Sequence, residues 1–194
     1  LNYSGGPKCA NNRFENCRAD STAMDGFYLW QADSTTFYNC VAVNNLSHGW
    51  RIDGNSDFNL LDSCTILSPV DTGISVGLTG SKDAETNVVR NCRIENPGRA
   101  GIAVAPPARG NTFVGTRVSW PTCVNNTLRS GYFIAADSTA VYGDSITNSW
   151  RGINAMYCRD LTISAVNVDS VYQSGVFFEN VDTSAIAGCT ITRV

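Results

Sequence analysis

Short runs of alternating apolar and polar residues recur along the whole chain at a nearly constant interval. One run starts with a small residue, Asn or Ser in the first four copies and Gly or Ala in the last four, and places an apolar residue three positions after its start; cysteine follows the first residue in five of the eight copies. The cysteine is lost after the fourth copy and returns in the last one, but the spacing of 22–28 residues persists. The eight copies begin at Asn16, Asn39, Ser63, Asn91, Gly115, Gly143, Ala165 and Gly188.

A second run interleaves with the first and reads glycine, apolar, any residue, apolar. The period of two within each copy predicts β-strands, and the shared long period predicts a solenoid of stacked coils. No segment shows a sustained 3.6-residue period, so helices are not expected. The sequence predicts an all-β, single-domain parallel β-helix over residues 1–194, with about eight coils of 22–28 residues. The second run begins at Gly26, Gly49, Gly73, Gly101, Gly131, Gly152 and Gly175.

These two phrases give the chain a family resemblance over about residues 12–194. The phrases Asn91-Cys92-Arg93-Ile94 and Gly73-Ile74-Ser75-Val76 resemble those of the right-handed parallel β-helices in the pectate lyase-like superfamily. That superfamily includes polysaccharide hydrolases and lyases, C5-epimerases and phage tailspikes. The resemblance implies a right-handed coil, a polysaccharide partner, and a location that is extracellular, on a cell surface or in a virion.

The repeats run almost from one end of the chain to the other, from Asn12 to Val194. Solenoids need capping segments that hide their terminal strand edges, and none is visible. We therefore expect a fragment of a longer polypeptide or a subunit of an oligomer, such as a homotrimer.

Charge and hydropathy exclude two classes of partner. The net charge is −3 and there is no cluster of basic residues, which argues against a nucleic-acid partner. No apolar run approaches the roughly 18–20 residues of a membrane span, so no membrane partner is expected.

Four cysteines, Cys17, Cys40, Cys64 and Cys92, occupy one position in consecutive coils. Side chains stacked in parallel strands lie about 4.8 Å apart, farther than the ~3.8 Å that Cβ atoms prefer in a disulfide. We expect a buried column of free thiols. A disulfide among the other cysteines stays open, and these are Cys9, Cys123 and Cys158.

No cofactor is expected. The chain has no Cys-x-x-Cys pair of the kind that holds zinc, and no acidic cluster that requires Ca²⁺, although some lyases of this fold use that ion.

The position before each repeated glycine carries the candidate catalytic residues. Asp25 and His48 hold this position in adjacent coils, about 4.8 Å apart, where a carboxylate and an imidazole form an acid/base pair. Asp71 lies one residue earlier in the next coil. Asp25 and Asp71 are then about 9–10 Å apart, near the upper limit for the carboxyl pair of inverting glycosidases. The alternative role for His48 is a hydrogen bond within a turn.

This arrangement is similar to that of polygalacturonases, in which an Asp-bearing strand is followed one coil later by Gly-His-Gly. Here the corresponding residues are Met24-Asp25-Gly26 and Ser47-His48-Gly49. The paired aspartates of that family are absent, since Met24 precedes Asp25, and so are its Asn-Thr-Asp strand and Arg-x-Lys motif. The Asp-Pro-His motif of alginate epimerases is absent too.

Candidate saccharide-binding residues surround this pair. Tyr28, Trp30, Arg51 and Asp53 are predicted to face outward beside it, and aromatic rings and arginine suit the rings and carboxylates of an acidic polysaccharide. A solvated or subunit-covered sheet face is the alternative. Arg99, Arg129 and Arg151 follow the same edge in later coils and either extend the groove or pair with surface carboxylates.

Three functions remain open. The first is an enzyme that binds and cleaves an extended polysaccharide by hydrolysis or by elimination, with C5-epimerisation less favoured. The second is a segment of a phage tailspike that recognises a bacterial surface glycan. The third is a structural or adhesive β-helix without catalysis.

Overall fold

The computed structural model describes residues 8–77, 83–122 and 129–194 of the chain. Within these ranges every β-strand is short and every pairing is parallel, and no helix is present. Each coil contributes one strand to each of three sheets, which confirms the predicted all-β solenoid. The structure has about seven turns where about eight coils were predicted, because the third sheet contains seven strands and the other two contain eight.

The first sheet forms one wall of the solenoid and turns its middle residues inward. These residues run from Phe14 and Phe37 to Ile163 and Ile186, and all but those of the end coils are buried. Its strands are β2 (Arg13–Glu15), β6 (Thr36–Tyr38), β9 (Leu60–Asp62), β12 (Val88–Arg90), β15 (Thr112–Val114), β18 (Ala140–Tyr142), β21 (Thr162–Ser164) and β24 (Ala185–Ala187).

In every coil, a two-residue corner connects the strand of the first sheet to the strand of the second sheet. Its middle residues, such as Ile66, Ile94 and Ile146, are fully buried. Its strands are β3 (Arg18–Asp20), β7 (Val41–Val43), β10 (Thr65–Leu67), β13 (Arg93–Glu95), β16 (Arg117–Ser119), β19 (Ser145–Thr147), β22 (Asn167–Asp169) and β25 (Thr190–Thr192).

The third sheet contains the repeated Gly-apolar-x-apolar phrase. Its two apolar positions face inward, as Ile74 and Val76 do. Its strands are β4 (Phe27–Trp30), β8 (Trp50–Asp53), β11 (Ile74–Val76), β14 (Ile102–Val104), β17 (Ser130–Ile134), β20 (Arg151–Met156) and β23 (Ser174–Glu179). A two-stranded pairing of β1 (Cys9–Ala10) with β5 (Ala32–Asp33) lies beside the first coil.

Close packing between coils explains the repeated glycine. A Cβ atom at Gly49 would lie 2.7 Å from the carbonyl oxygen of Gly73 and 2.5 Å from Cγ2 of Ile66. The other glycines of this column meet a similar obstruction from the coil that follows. Only a residue without a side chain lets the second and third sheets meet at this corner.

The cysteines stack as predicted. Cys40, Cys64 and Cys92 are buried free thiols, and Cys17 in the first coil is half-buried. Each buried thiol lies within hydrogen-bonding distance of a backbone carbonyl of the preceding coil, as Cys64 Sγ does with the oxygen of Phe37 at 3.7 Å. Among the off-column cysteines, Cys9 and Cys158 are also free thiols. Cys123 lies outside the described residues.

Asparagine stacks in two columns, one on the surface and one buried. Asn39 Nδ2 donates to Asn16 Oδ1 at 2.7 Å on the surface, and Asn16, Asn39 and Asn91 have the positive φ expected of turn residues. A second column before the first sheet was missed. It consists of the buried residues Asn59, Asn87 and Asn111, whose side-chain amides hydrogen-bond from coil to coil.

In the part of the chain that the structure describes, no helix has the length and apolar character needed to cross a membrane.

Candidate functional site

The structure brings Asp25 and His48 together at the N-terminal edge of the third sheet. Hydrogen bonds from Gly26 N to His48 O (2.9 Å) and from Gly49 N to Thr72 O (3.1 Å) fix the register. Asp25 Oδ1 accepts a hydrogen bond from the backbone N–H of His48 at 3.1 Å. The carboxylate therefore contacts the backbone of the histidine in the next coil.

Both members of this pair are largely shielded from water. The Asp25 side chain is 5% exposed, and His48 is buried with its Nδ1 atom unpaired. Burial lowers the pKa of His48, although the nearby Asp25 and Asp71 carboxylates act to raise it. The lowered pKa favours the neutral imidazole, in which one ring nitrogen donates a hydrogen bond and the other accepts one.

Asp71 is the most accessible of the three candidate catalytic residues. Its side chain is 33% exposed, and Arg99 Nε lies 3.7 Å from its Oδ1 atom. Its backbone N–H donates to Ser47 O at 3.0 Å, and its carbonyl accepts from Arg99 N at 2.9 Å. Asp71 and Arg99 are therefore stacked neighbours, so Arg99 is held next to an acid.

Arg51 joins the first two coils electrostatically. Its Nε donates to Asp53 Oδ2 at 2.7 Å, and its Nη1 lies 3.8 Å from Asp25 Oδ2. Its guanidinium carbon is 5.0 Å from the centre of the Tyr28 ring, in cation–π contact. Because Asp53 is fully buried, its contact with Arg51 fixes the guanidinium group within the protein.

Tyr28 and Trp30 form an exposed aromatic surface beside Arg51. Tyr28 is 50% exposed, Trp30 is also exposed, and their ring centres are 6.1 Å apart. The Trp30 ring lies against Gly54, where the structure leaves no room for a Cβ atom. Together with Phe14 and Phe27, both aromatic residues line a cavity of about 380 Å³ at the first coil.

The outward face of the third sheet is open only in part. In each strand, the residue between the two inward-facing apolar residues points outward. This residue is Tyr28 in the first coil and Arg51 in the second, but in the next two coils it is Ser75 and Ala103, which are buried. The row one residue before the Asp25–His48 position is more accessible, and we call it the edge row. It comprises Met24, Ser47, Asp71, Arg99, Arg129, Trp150 and Gln173.

The later coils add an aromatic pair that sequence reasoning missed. Trp150 stacks on Tyr172 with ring centres 4.7 Å apart and an interplanar angle of 15°. Arg151, the residue after Trp150, places its guanidinium carbon 3.8 Å from the centre of the Phe177 ring. Aromatic residues near the repeated glycines of two successive coils were the available signal.

Among the described residues, no group of three or more His, Cys, Asp or Glu side chains is arranged to hold a metal ion.

Comparison with known proteins defines the class. A family model described as "Right handed beta helix region" matches residues 1–118 and 83–194, which together cover the chain. The chain therefore belongs to this family, and its fold is a right-handed parallel β-helix of the pectate lyase-like type. A search of curated proteins finds no similar sequence.

Several solved structures share the fold. The A-module of mannuronan C-5 epimerase AlgE4 from Azotobacter vinelandii matches with a TM-score of 0.58 and 14% identity, over 95% of this chain and 54% of that one. PfbA, a surface adhesin of Streptococcus pneumoniae, gives 0.55 and 11%, over 95% and 61%. A tailspike protein of E. coli bacteriophage HK620 gives 0.53 and 10%, over 82% and 39%. The chain thus spans 39–61% of these structures, and the likeness concerns the fold.

Proposed function

We propose that this chain binds an extended polysaccharide along the third sheet, with contacts at Tyr28 and Trp30 and along the edge row. The observation that carries the proposal is the exposed Tyr28–Trp30 surface beside a guanidinium group that Asp53 holds in place. Exposed aromatic rings stack on the apolar faces of sugars, and a fixed guanidinium group donates to their oxygens. Similar folds in a mannuronan epimerase, a surface adhesin and a tailspike support this proposal.

The spacing of the coils suits a repeating polymer. Parallel strands place equivalent side chains about 4.8 Å apart, so an elongated ligand parallel to the solenoid axis meets an accessible edge-row residue in each coil. The buried residues Ser75 and Ala103 close the middle of the outward face. For that reason the edge row, and not the centre of the sheet, forms the path for the ligand.

Cleavage of the bound polymer is the second proposed function, and the contact between Asp25 and His48 favours it. In hydrolysis, Asp71 or Asp25 would serve as general acid or base, and His48 would assist. In elimination, the neutral His48 imidazole would remove the proton next to a uronate carboxylate, and a nearby arginine would stabilise the resulting negative charge. The C4–O glycosidic bond would then break to leave a C4–C5 double bond, and solvent would protonate the leaving oxygen. C5-epimerisation starts with the same proton removal.

Two further functions without catalysis would use the same binding surface. A tailspike-like segment would recognise a bacterial surface glycan as a homotrimer, and an adhesive β-helix would bind without cleaving. Both would place the chain outside the cell, on its surface or in a virion. Light scattering coupled to size exclusion separates them, since a stable trimer supports the tailspike-like function.

The test is a binding and depolymerisation screen over uronic-acid and bacterial capsular polysaccharides. We expect binding to weaken at least tenfold in Tyr28→Ala and Trp30→Ala, and to persist in Tyr38→Ala, an exposed tyrosine on the first sheet. Reducing ends without ultraviolet absorbance would show hydrolysis, and both signals together would show elimination.

The double variant Asp25→Asn/His48→Gln should bind and lose cleavage. If this variant still cleaves the polymer, Asp25 and His48 are not the catalytic residues. Binding that is equal in the wild type and in both aromatic variants would remove the binding proposal.

A further inference from the structure

Two neighbouring arginines of the third sheet differ from almost all others in lacking an acidic partner. Of the twelve arginines, nine form an ion pair with a carboxylate in the described part of the chain. The three segments outside it contain no Asp or Glu, so they supply no acidic side chain. The remaining arginines are Arg117, which is exposed on the second sheet, and Arg129 and Arg151 at the edge of the third.

Neutral contacts hold the Arg151 side chain in place. Its Nε donates to Gln173 Oε1 at 2.6 Å and its Nη1 to Asn154 Oδ1 at 3.2 Å. The Phe177 ring packs against its guanidinium group. The group is therefore pre-positioned while its positive charge remains uncompensated, which favours recognition of an anion from outside the chain.

Arg129 lies in the adjacent coil. Its carbonyl oxygen accepts hydrogen bonds from Trp150 N at 2.8 Å and Arg151 N at 3.3 Å, which fixes the two residues as neighbours. The Arg129 Nε atom is shielded from solvent and has no hydrogen-bond partner. The Arg129 guanidinium group therefore adds a second positive charge beside Arg151, and no described carboxylate compensates it.

An aromatic wall completes this part of the sheet. Tyr172 is 51% exposed, and its ring is held against the half-buried Trp150. Exposed rings fixed in this way offer a flat surface to the face of a sugar. Two arginines and an aromatic wall thus occupy one edge of the fifth, sixth and seventh coils.

We propose that Arg129, Arg151, Trp150 and Tyr172 form a subsite for a sugar ring that bears a carboxylate. This inference rests on the proposed polysaccharide binding and specifies its ligand. The first three coils hold the carboxylates of Asp25, Asp53 and Asp71 against the guanidinium groups of Arg51 and Arg99, so they attract an anion less strongly than the later coils do. Four coils separate His48 from Arg151, a distance of roughly 19 Å along the solenoid axis. The later coils would therefore hold anionic units of a polymer most strongly, while further units of the same chain pass Asp25 and His48.

Titration calorimetry with short oligouronates tests this subsite. We use oligomers of galacturonate, mannuronate, guluronate and glucuronate, with their carboxyl-reduced counterparts and sulfated oligosaccharides as comparison ligands. We expect Arg151→Gln and Arg129→Gln to weaken uronate binding about tenfold or more, and Arg151→Lys to weaken it less. Tyr172→Leu should weaken the uronate and its reduced counterpart alike. Arg117→Gln, the other arginine without a partner, should bind as the wild type does.

The outcomes separate this subsite from the proposed function. If oligouronates bind the wild type and both arginine variants equally, or bind no better than reduced or sulfated oligomers, the subsite is wrong. Absence of binding to every oligouronate also overturns it. If oligouronate binding depends on the arginines but Tyr28→Ala and Trp30→Ala do not weaken binding of the full-length polysaccharide, the subsite stands and the proposed site in the first coils fails. Circular dichroism of each variant establishes that the fold is retained.

Discussion

Tyr132 donates a hydrogen bond to the Asp144 carboxylate inside the solenoid, where both side chains are almost completely buried. Asp144 occupies the position that cysteine holds in four earlier coils and that Val166 holds in the next. Its other oxygen accepts a hydrogen bond from Thr116 N at 2.7 Å. One coil therefore places an ionisable group in a column otherwise filled by small or apolar side chains.

This carboxyl group makes stability fall as the pH rises. Burial raises the pKa of Asp144 from 3.8 to about 6, against the opposing effect of the Tyr132 hydrogen bond. The folded protein thus binds the proton more tightly than the unfolded chain, and the stability from this group is lost between about pH 4 and pH 6. Asp144→Asn should raise the unfolding free energy at neutral pH by up to about 3 kcal/mol, as measured by urea denaturation across that range.

A surface carboxylate provides a control of opposite sign. The Arg90 hydrogen bond lowers the pKa of Asp62, so the stability that Asp62 contributes is present at neutral pH and is lost on acidification. Asp62→Asn should therefore be slightly destabilising at neutral pH. If Asp144→Asn instead lowers stability at neutral pH, the buried Asp144 carboxylate does not destabilise the fold and this explanation is wrong.

The buried Asp53 carboxylate should matter more for stability than an exposed one. Asp53→Asn leaves the Arg51 guanidinium group without its closest ionic partner, and we expect a loss of about 2–3 kcal/mol together with weaker saccharide binding. Glu95→Gln, which removes the exposed partner of Arg93, should cost less than about 1 kcal/mol. Chemical denaturation of both variants checks this order, and equal losses would contradict it.

Two glycines separate the cost of close packing from that of backbone conformation. Gly49→Ala forces a Cβ atom against Gly73 and Ile66, so we expect a loss of about 3 kcal/mol. Gly143 has φ +64° with open space around it, and Gly143→Ala should cost about 1–2 kcal/mol from the left-handed backbone alone. Thermal unfolding of the two variants measures the difference. A larger loss for Gly143→Ala would refute the packing explanation.

Hydrogen bonds of the buried asparagine column should contribute strongly to the stability of coil stacking. Asn87 Oδ1 accepts from the backbone N–H of Asn59 at 2.9 Å, and its Nδ2 donates to Ser56 O at 3.0 Å. Asn87→Ala leaves the buried Asn59 N–H and Ser56 carbonyl groups without these hydrogen bonds, and we expect it to lower the free energy of unfolding by about 2–4 kcal/mol. The surface variant Asn39→Ala should cost about 1–2 kcal/mol, mainly through its positive φ. Hydrogen exchange of the Asn59 amide reports the local loss, and unchanged protection there would contradict this role.

Much of the fold follows from the spacing of residues along the chain. The distance between repeated phrases fixes which residues stack, so the thiol column and the Asp25–His48 contact can be derived from the sequence. The period within each phrase fixes which side chains face inward, as Ile74 and Val76 do. Right-handedness came from the family resemblance and not from the period.

The accessibility of each outward side chain depends on neighbours that the period does not specify. Ser75 points outward and is nevertheless buried, and Asp53 is fully shielded beside Arg51. The stacking of Trp150 on Tyr172 likewise depends on side-chain orientation across two coils. The sequence by itself determined a repeating parallel solenoid and the register of its coils, because both follow from periodic apolar and glycine positions. Only the tertiary structure decided which charges are compensated and which surfaces are open, because these depend on distances between side chains that are remote in the chain.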